Sequence, residues 1–210
     1  MKKSFNHPAM MKVLDWAYEK ALLGIPGLDS AGETARKYMI REGTLYEKAN
    51  SLIRRQNTKA GTSGFITGMG GLLTLPVAIP ANIASVLYIQ IRMIAAIAHM
   101  GGYNLRDDKV KTLVYMCLVG NFAKDIIQEA GIILGTKITT RVIEGISERS
   151  ILAVNQRVGF RLLSTYGAKG AIDIGKAIPL IGGVIGGTID IVTTNIIGNV
   201  ARNIFLPKEV

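Results

Sequence analysis

The sequence predicts an all-α protein, a single-domain bundle of many helices with two glycine-rich apolar segments of hairpin-like design. Three observations carry this. Period-two alternation is poor and Asn-Gly hairpin turns are absent, apolar residues recur at spacings of three and four, and helix caps punctuate the first third. At 210 residues the chain suits one domain spanning 1–210, with amphipathic helices over 1–59 and apolar core helices over 60–205.

The elements follow in order. Pro8 suits a first helical turn, and Met11, Leu14, Trp16, Tyr18 and Leu22 follow before Gly24-Ile25-Pro26-Gly27 ends the run. Ser30 with Glu33 forms a capping box that opens a helix to about Arg41, and Thr44 with Glu47 repeats it for a helix to about Lys59. Gly61, Gly64, Gly68 and Gly71 then share one helical face, which permits close approach of another backbone. Pro76 and Pro80 break that helix and begin the next, which runs to Met100 and stops at Gly101-Gly102. Asp107 is placed to cap a long helix from Asp108 to about Leu134, with Gly120 its weak point. Amphipathic segments near 136–147 and 150–166 precede a second glycine-rich stretch, Pro179 with Gly182, Gly183, Gly186 and Gly187. An Ile/Val/Thr helix follows to about Phe205, whose β-branched run Ile189–Ile197 is the one place a strand could form. Ile79-Pro80 recurs as Ile178-Pro179, a match that marks internal pseudo-symmetry or chance in an apolar chain.

Composition narrows the function. Hydrophobic residues make up 49% and charged residues 19%, against about 25% charged in a typical domain, which excludes a disordered chain. Aromatics are only 6%, so the apolar mass is aliphatic and suits helix–helix contact better than an aromatic ligand cage. The net charge of +10 sits in two stretches, Met1–Lys59 and Arg92–Lys169, each with eleven basic and six acidic residues. Such surfaces attract nucleic acid or anionic lipid. No nucleic-acid module or stacking face accompanies them, which argues against nucleic acid and for an anionic membrane surface or a lipid-like ligand. The basic N-terminus lacks an apolar core segment, so a cytoplasmic chain at the inner face of the cell membrane is expected.

Spanning is strained. Ala60–Ile91 carries no charge and is long enough by count, but Pro76 and Pro80 divide it. The helix after Pro80 meets Arg92, and a central arginine costs on the order of 3 kcal/mol to insert. Two readings remain open: the glycine-rich segments are the core of a water-soluble bundle, or they enter the bilayer part-way with the basic stretches on head groups.

Catalytic patterns are thin. Gly170 to Lys176 matches seven positions of a phosphate-binding loop, but Ala177 replaces the hydroxyl that would hold magnesium and the preceding segment reads as helix. His7, His99 and Cys117 make no metal-ligand spacing, and Cys117 lies in an apolar run where a buried thiol is expected. No metal or cofactor is therefore expected. Asp107-Asp108 reads as a helix start rather than a catalytic pair. The candidate polar anchors are Arg92 and His99, seven residues apart on one face, with Asp125 and Asp190 in other apolar helices. A buried arginine needs a partner, which Asp125 or Asp190 would provide. Such a pair either fixes helix register or grips a lipid head group beneath an apolar cavity.

Asp15-Trp16-Ala17-Tyr18, Gly24-Ile25-Pro26-Gly27-Leu28, Lys59 to Phe65, Thr74 to Asn82, Gly101-Gly102-Tyr103 and Ile178 to Gly187 together resemble the EcsC protein family. The resemblance implies a helical fold and a bacterial origin, and it carries over no catalytic residues. Because the family takes its name from a gene beside an ABC transporter operon, it also implies an accessory role with a membrane-protein partner. The residues lead to a non-enzymatic, membrane-peripheral or lipid-binding protein, with a soluble enzyme acting on an apolar, lipid-like substrate as the alternative.

Overall fold

A computed structural model describes residues 6–60, 81–132, 139–171 and 179–207, with side-chain surroundings for all of these but 58–60, 81–82, 140, 167–171 and 179–191. The described residues form nine α-helices: α1 (His7–Leu23), α2 (Ala31–Met39), α3 (Leu45–Ala60), α4 (Ala81–Met100), α5 (Asp108–Cys117), α6 (Ala123–Glu129), α7 (Thr140–Glu144), α8 (Glu148–Ala171) and α9 (Pro179–Phe205). A turn of 3-10 helix at Gly120–Phe122 joins α5 to α6, and no strand occurs among these residues. The fold is all-α. Gly61, Gly64, Gly68, Gly71, Pro76 and Pro80 lie outside the described residues. Pro179 opens α9, and Gly182, Gly183, Gly186 and Gly187 lie in its first half, but what packs against them also falls outside.

The helix starts follow from local chemistry. Asn6 Oδ1 accepts from Ala9 N, with Pro8 in the first turn. Ser30 and Glu33 exchange both bonds of a capping box, and Thr44 with Glu47 does the same for α3. Between α1 and α2, Ile25 and Leu28 bond across Pro26-Gly27; Gly27, at φ +80°, takes the position that a side chain would strain.

The centre of the molecule is α4. It packs against α1, α2, α3, α5 and α9, and is buried from Ile83 to Met100 save for Val86 and His99. Its apolar stretch is long enough to cross a membrane by length and composition, but 89% of that stretch is buried against the protein itself. On the outer side, α8 packs on α1, α5 and α6.

Register between α9 and its neighbours is fixed by polar ties. Gln90 of α4 donates to Thr194 Oγ1 at 3.3 Å, and Asn57 of α3 donates to Asn195 Oδ1 at 3.1 Å. Arg202 bonds Asn50 and stacks 4.0 Å over the Tyr46 ring. Asn195, exposed on α9, thus ties that helix to α3 by a side-chain bond. The β-branched run containing it is helical, since α9 continues through it without a break.

The long helix expected from Asp108 to about Leu134 is instead divided. Asp107 does cap it, accepting from Lys109 N at 2.8 Å. However, Gly120 adopts φ +59°, which ends α5 and turns the chain through the 3-10 segment into α6. A Cβ there would also lie 3.1 Å from Ile196 Cγ2 of α9, so the break and a helix contact coincide.

Close approach is sharpest at Gly198, where an added Cβ would stand 2.7 Å from Ile53 Cγ1 and 2.9 Å from Ile53 Cγ2. Ile53 is buried and β-branched, so it has little freedom to move aside. Gly198→Ala should lower stability by about 1–3 kcal/mol through overpacking. Ile53→Ala in that background should recover part of the loss, a coupling that denaturant titration of the double-mutant cycle measures. Additive losses would mean that α3 and α9 do not meet there.

Candidate functional site

Where α4 ends, its cover ends too. The chain turns at Gly101-Gly102 into a loop that reaches α5, and an open cleft of about 960 Å³ forms between this loop, α1 and α2. The α1 wall presents Asp15, Tyr18, Glu19 and Leu22, at helical spacings of three, four and seven. Arg36 comes from α2, His99 from the last turn of α4, Leu105 and Arg106 from the loop, and Lys111 from α5.

The loop is held from below. Tyr18 Oη donates to the Leu105 carbonyl at 2.7 Å, a buried bond that ties it to α1. Asn104 Oδ1 accepts from Arg106 N at 3.0 Å. Asp15 binds Lys111 Nζ at 2.7 Å and accepts from Tyr115 Oη at 2.9 Å. The Tyr18 and Tyr115 rings meet edge to face at 5.8 Å, with the Lys111 ammonium 5.7–5.8 Å from both. Burial pushes both phenols well above the usual tyrosine range, and the Asp15 carboxylate raises Tyr115 further.

The charges do not cancel. With Lys111 satisfied by Asp15, the cleft retains two guanidinium groups, Arg36 and Arg106, against one carboxylate, Glu19. Among the described residues neither arginine enters an ion pair. Leu22, Leu23 and Leu105 supply apolar surface beside them. Such a cleft suits a ligand with an anionic end and an apolar end.

Of the candidate polar anchors Arg92, His99, Asp125 and Asp190, His99 lines the cleft. Arg92 is only 3% exposed and lies beneath the α1–α2 connection, where its Nη1 donates to the Asp29 carbonyl at 3.1 Å. Its guanidinium stands 5.7 Å from the Tyr88 ring centre. Asp125 is exposed on α6, so the buried pair of Arg92 with Asp125 does not form; a backbone carbonyl takes that role. Asp190 lies on α9, with its side chain outside the described residues. Cys117 is fully buried, and burial pushes its thiol well up. The partial phosphate-loop pattern is preceded by α8, which continues to Ala171 where that motif requires a strand. Among the described residues no three His, Cys, Asp or Glu side chains gather to hold a metal ion.

Sequence reading missed Asp15, Glu19, Arg36, Arg106 and Lys111. The signal available was the Asp15-Tyr18-Glu19-Leu22 stripe on α1; nothing in the spacing joined it to Arg36 or Arg106.

An all-helical domain around one apolar helix, with an amphiphilic cleft at that helix's end, defines the class of protein. The EcsC protein family model matches residues 43–206, most of the chain, and the chain belongs to this family. The α1 and α2 walls of the cleft precede the matched region. Comparison with curated proteins and with solved structures finds no match.

The raised phenols have a consequence for stability. The folded protein keeps Tyr18 and Tyr115 protonated above about pH 10, where the unfolded chain releases those protons. They therefore leave stability unchanged below that pH and lower it as pH rises beyond. Tyr115→Phe should cost about 1–2 kcal/mol at neutral pH through the lost bond to Asp15 and should flatten the alkaline decline. Denaturant titrations at neutral and alkaline pH compare the two, and an equally steep decline in the variant would show that Tyr115 ionises freely in the folded state.

Proposed function

We propose that this EcsC-family protein works at the inner face of the bacterial cell membrane as a peripheral, lipid-binding protein, holding the anionic end of an amphiphile in the cleft at the end of α4. One observation carries the reading: Arg36 and Arg106 face a cleft that also contains Leu22, Leu23 and Leu105, and neither arginine closes an ion pair among the described residues. Charge-assisted bonds to a phosphate or carboxylate would satisfy both guanidinium groups, while the leucines shelter the start of an acyl chain. The basic balance of the chain supports the same reading, since it draws the protein to anionic head groups.

Peripheral attachment agrees with α4, which is apolar enough to span but is already covered by five helices and carries Arg92 inside that cover. On this reading the protein sediments with membranes from a detergent-free lysate and is released by high salt. Retention through an alkaline wash would instead indicate insertion. Mass spectrometry of the released protein should find an anionic amphiphile. Arg36→Glu with Arg106→Glu should lower its occupancy at least about tenfold, since each lost charged hydrogen bond is worth roughly that factor. Full solubility with no bound lipid, or unchanged occupancy in the double variant, would sink the reading.

A further inference from the structure

The corner between α2 and α3 carries two apolar side chains that the fold does not use. Ile40 is 85% exposed and Met39 41% exposed, adjacent in the chain at the end of α2. The packing face of α2 is made by Ala31, Thr34, Ala35 and Tyr38, all buried. Ile40 closes the helix only through its backbone N–H, bonded to Arg36 O at 3.2 Å, a task that any residue but proline performs. Single exposed apolar residues need no explanation, but an adjacent pair at a protruding corner is a surface for something.

The surroundings say what. Lys48 Nζ is held at the corner by a 3.0 Å bond to the Met39 carbonyl. Arg41 lies 4.1 Å over the Tyr38 ring and donates to Ser51 Oγ at 3.2 Å. Neither cation enters an ion pair among the described residues. Of the nearby acids, Glu47 is occupied in the α3 capping box, and Glu42 stands exposed. A pair of protruding apolar side chains flanked by fixed cations matches the chemistry of an anionic bilayer surface, with acyl chains beneath a plane of phosphates.

We infer that the Met39-Ile40 corner is the membrane-docking knuckle of this protein, its two side chains entering the acyl boundary of an anionic bilayer while Arg41 and Lys48 engage lipid phosphates. The inference rests on the peripheral-membrane reading and makes it specific. It also relates docking to the cleft: Arg36 precedes Ile40 by about one helical turn, roughly 6 Å along α2, so the cleft's own arginine sits just above the docked corner.

The test is sedimentation of the full chain with vesicles of phosphatidylcholine alone and of phosphatidylcholine mixed with phosphatidylglycerol. The wild-type protein should bind the anionic vesicles in a salt-sensitive way and the neutral ones much more weakly. Met39→Ser with Ile40→Ser should weaken anionic-vesicle binding about tenfold or more. Arg41→Gln and Lys48→Gln should each weaken it roughly fivefold. Leu152→Ser, which removes a 69% exposed side chain from α8, should leave it unchanged. Thermal midpoints close to wild type confirm that these surface variants fold. As a direct reading, Ile40→Cys carrying an environment-sensitive dye should shift to the blue only with anionic vesicles, Cys117 being buried and out of reach. If the wild type binds but the serine pair binds equally well, or Leu152→Ser is as damaging, the knuckle is wrong and the peripheral reading survives. If the wild type ignores anionic vesicles at low salt, both fall.

Discussion

A twenty-residue helix with no polar face must be covered on every side, and the rest of this structure depends on that demand. Residues Ile83 to Met100 of α4 are nearly all buried, and five other helices are needed to bury them. Burial of this kind is the largest favourable contribution to folding, but it is non-directional and selects no register among sliding aliphatic helices. Direction comes from the few polar groups inside the cover. Gln90 meets Thr194 in the interior, and Asn57 with Asn195 and Arg202 with Asn50 meet nearer the surface, so sliding α9 along α3 and α4 would break all three bonds and leave the buried Gln90 and Thr194 unpaired. The glycines then decide how near the helices come, as Gly198 shows against Ile53 and Gly101 against the carbonyl of Phe205.

The cleft is the other side of the same constraint. Once α4 gives way to the loop at Gly101, the reason to exclude water disappears, and charged residues gather where solvent enters. Their arrangement is still ordered from within. Tyr18 pins the loop carbonyl, Tyr115 and Lys111 together fix Asp15, and these bonds leave Arg36 and Arg106 as cleft cations outside any ion pair among the described residues. The core thus provides the floor of the cleft, and the end of the core provides its opening.

Much of the frame was legible in the sequence because it is written in local chemistry. Ser30 with Glu33, Thr44 with Glu47, and Asp107 before α5 each declare a helix start within four residues. The break at Gly120 was legible only as a weak point. Glycine permits both a helical and a left-handed backbone, so the residue type alone does not say which is adopted, nor that Ile196 of α9 will pack against it. Arg92 was recognisable as a buried charge in need of a partner; Asp125, one of the two carboxylates expected, stands exposed on α6, and among the described residues a backbone carbonyl, which no residue type announces, bonds the guanidinium. The cleft was least legible of all, since it draws on α1, α2, α4, α5 and a loop, and only the stripe on α1 has a spacing of its own.

The way the apolar surface is divided argues for how this protein would meet a membrane. Apolar area buried against protein is not also available to lipid, and α4 has spent nearly all of its own on its neighbours. Exposing it to a bilayer would strip α1, α2, α3, α5 and α9 of their shared partner and leave Arg92 without the Asp29 carbonyl, a loss that no gain in lipid contact offsets, because lipid tails are no more apolar than the side chains they would replace. On the proposed peripheral reading, contact with lipid would among the described residues fall to groups that already face outward. The Met39-Ile40 corner supplies apolar ones, and the cations beside it and in the cleft supply the charge. Attachment made this way would be reversible and set by ionic strength, because the apolar contribution of two side chains is small and the electrostatic contribution is screened by salt. The folded core stays intact in either state, which is what the polar ties along α9 require.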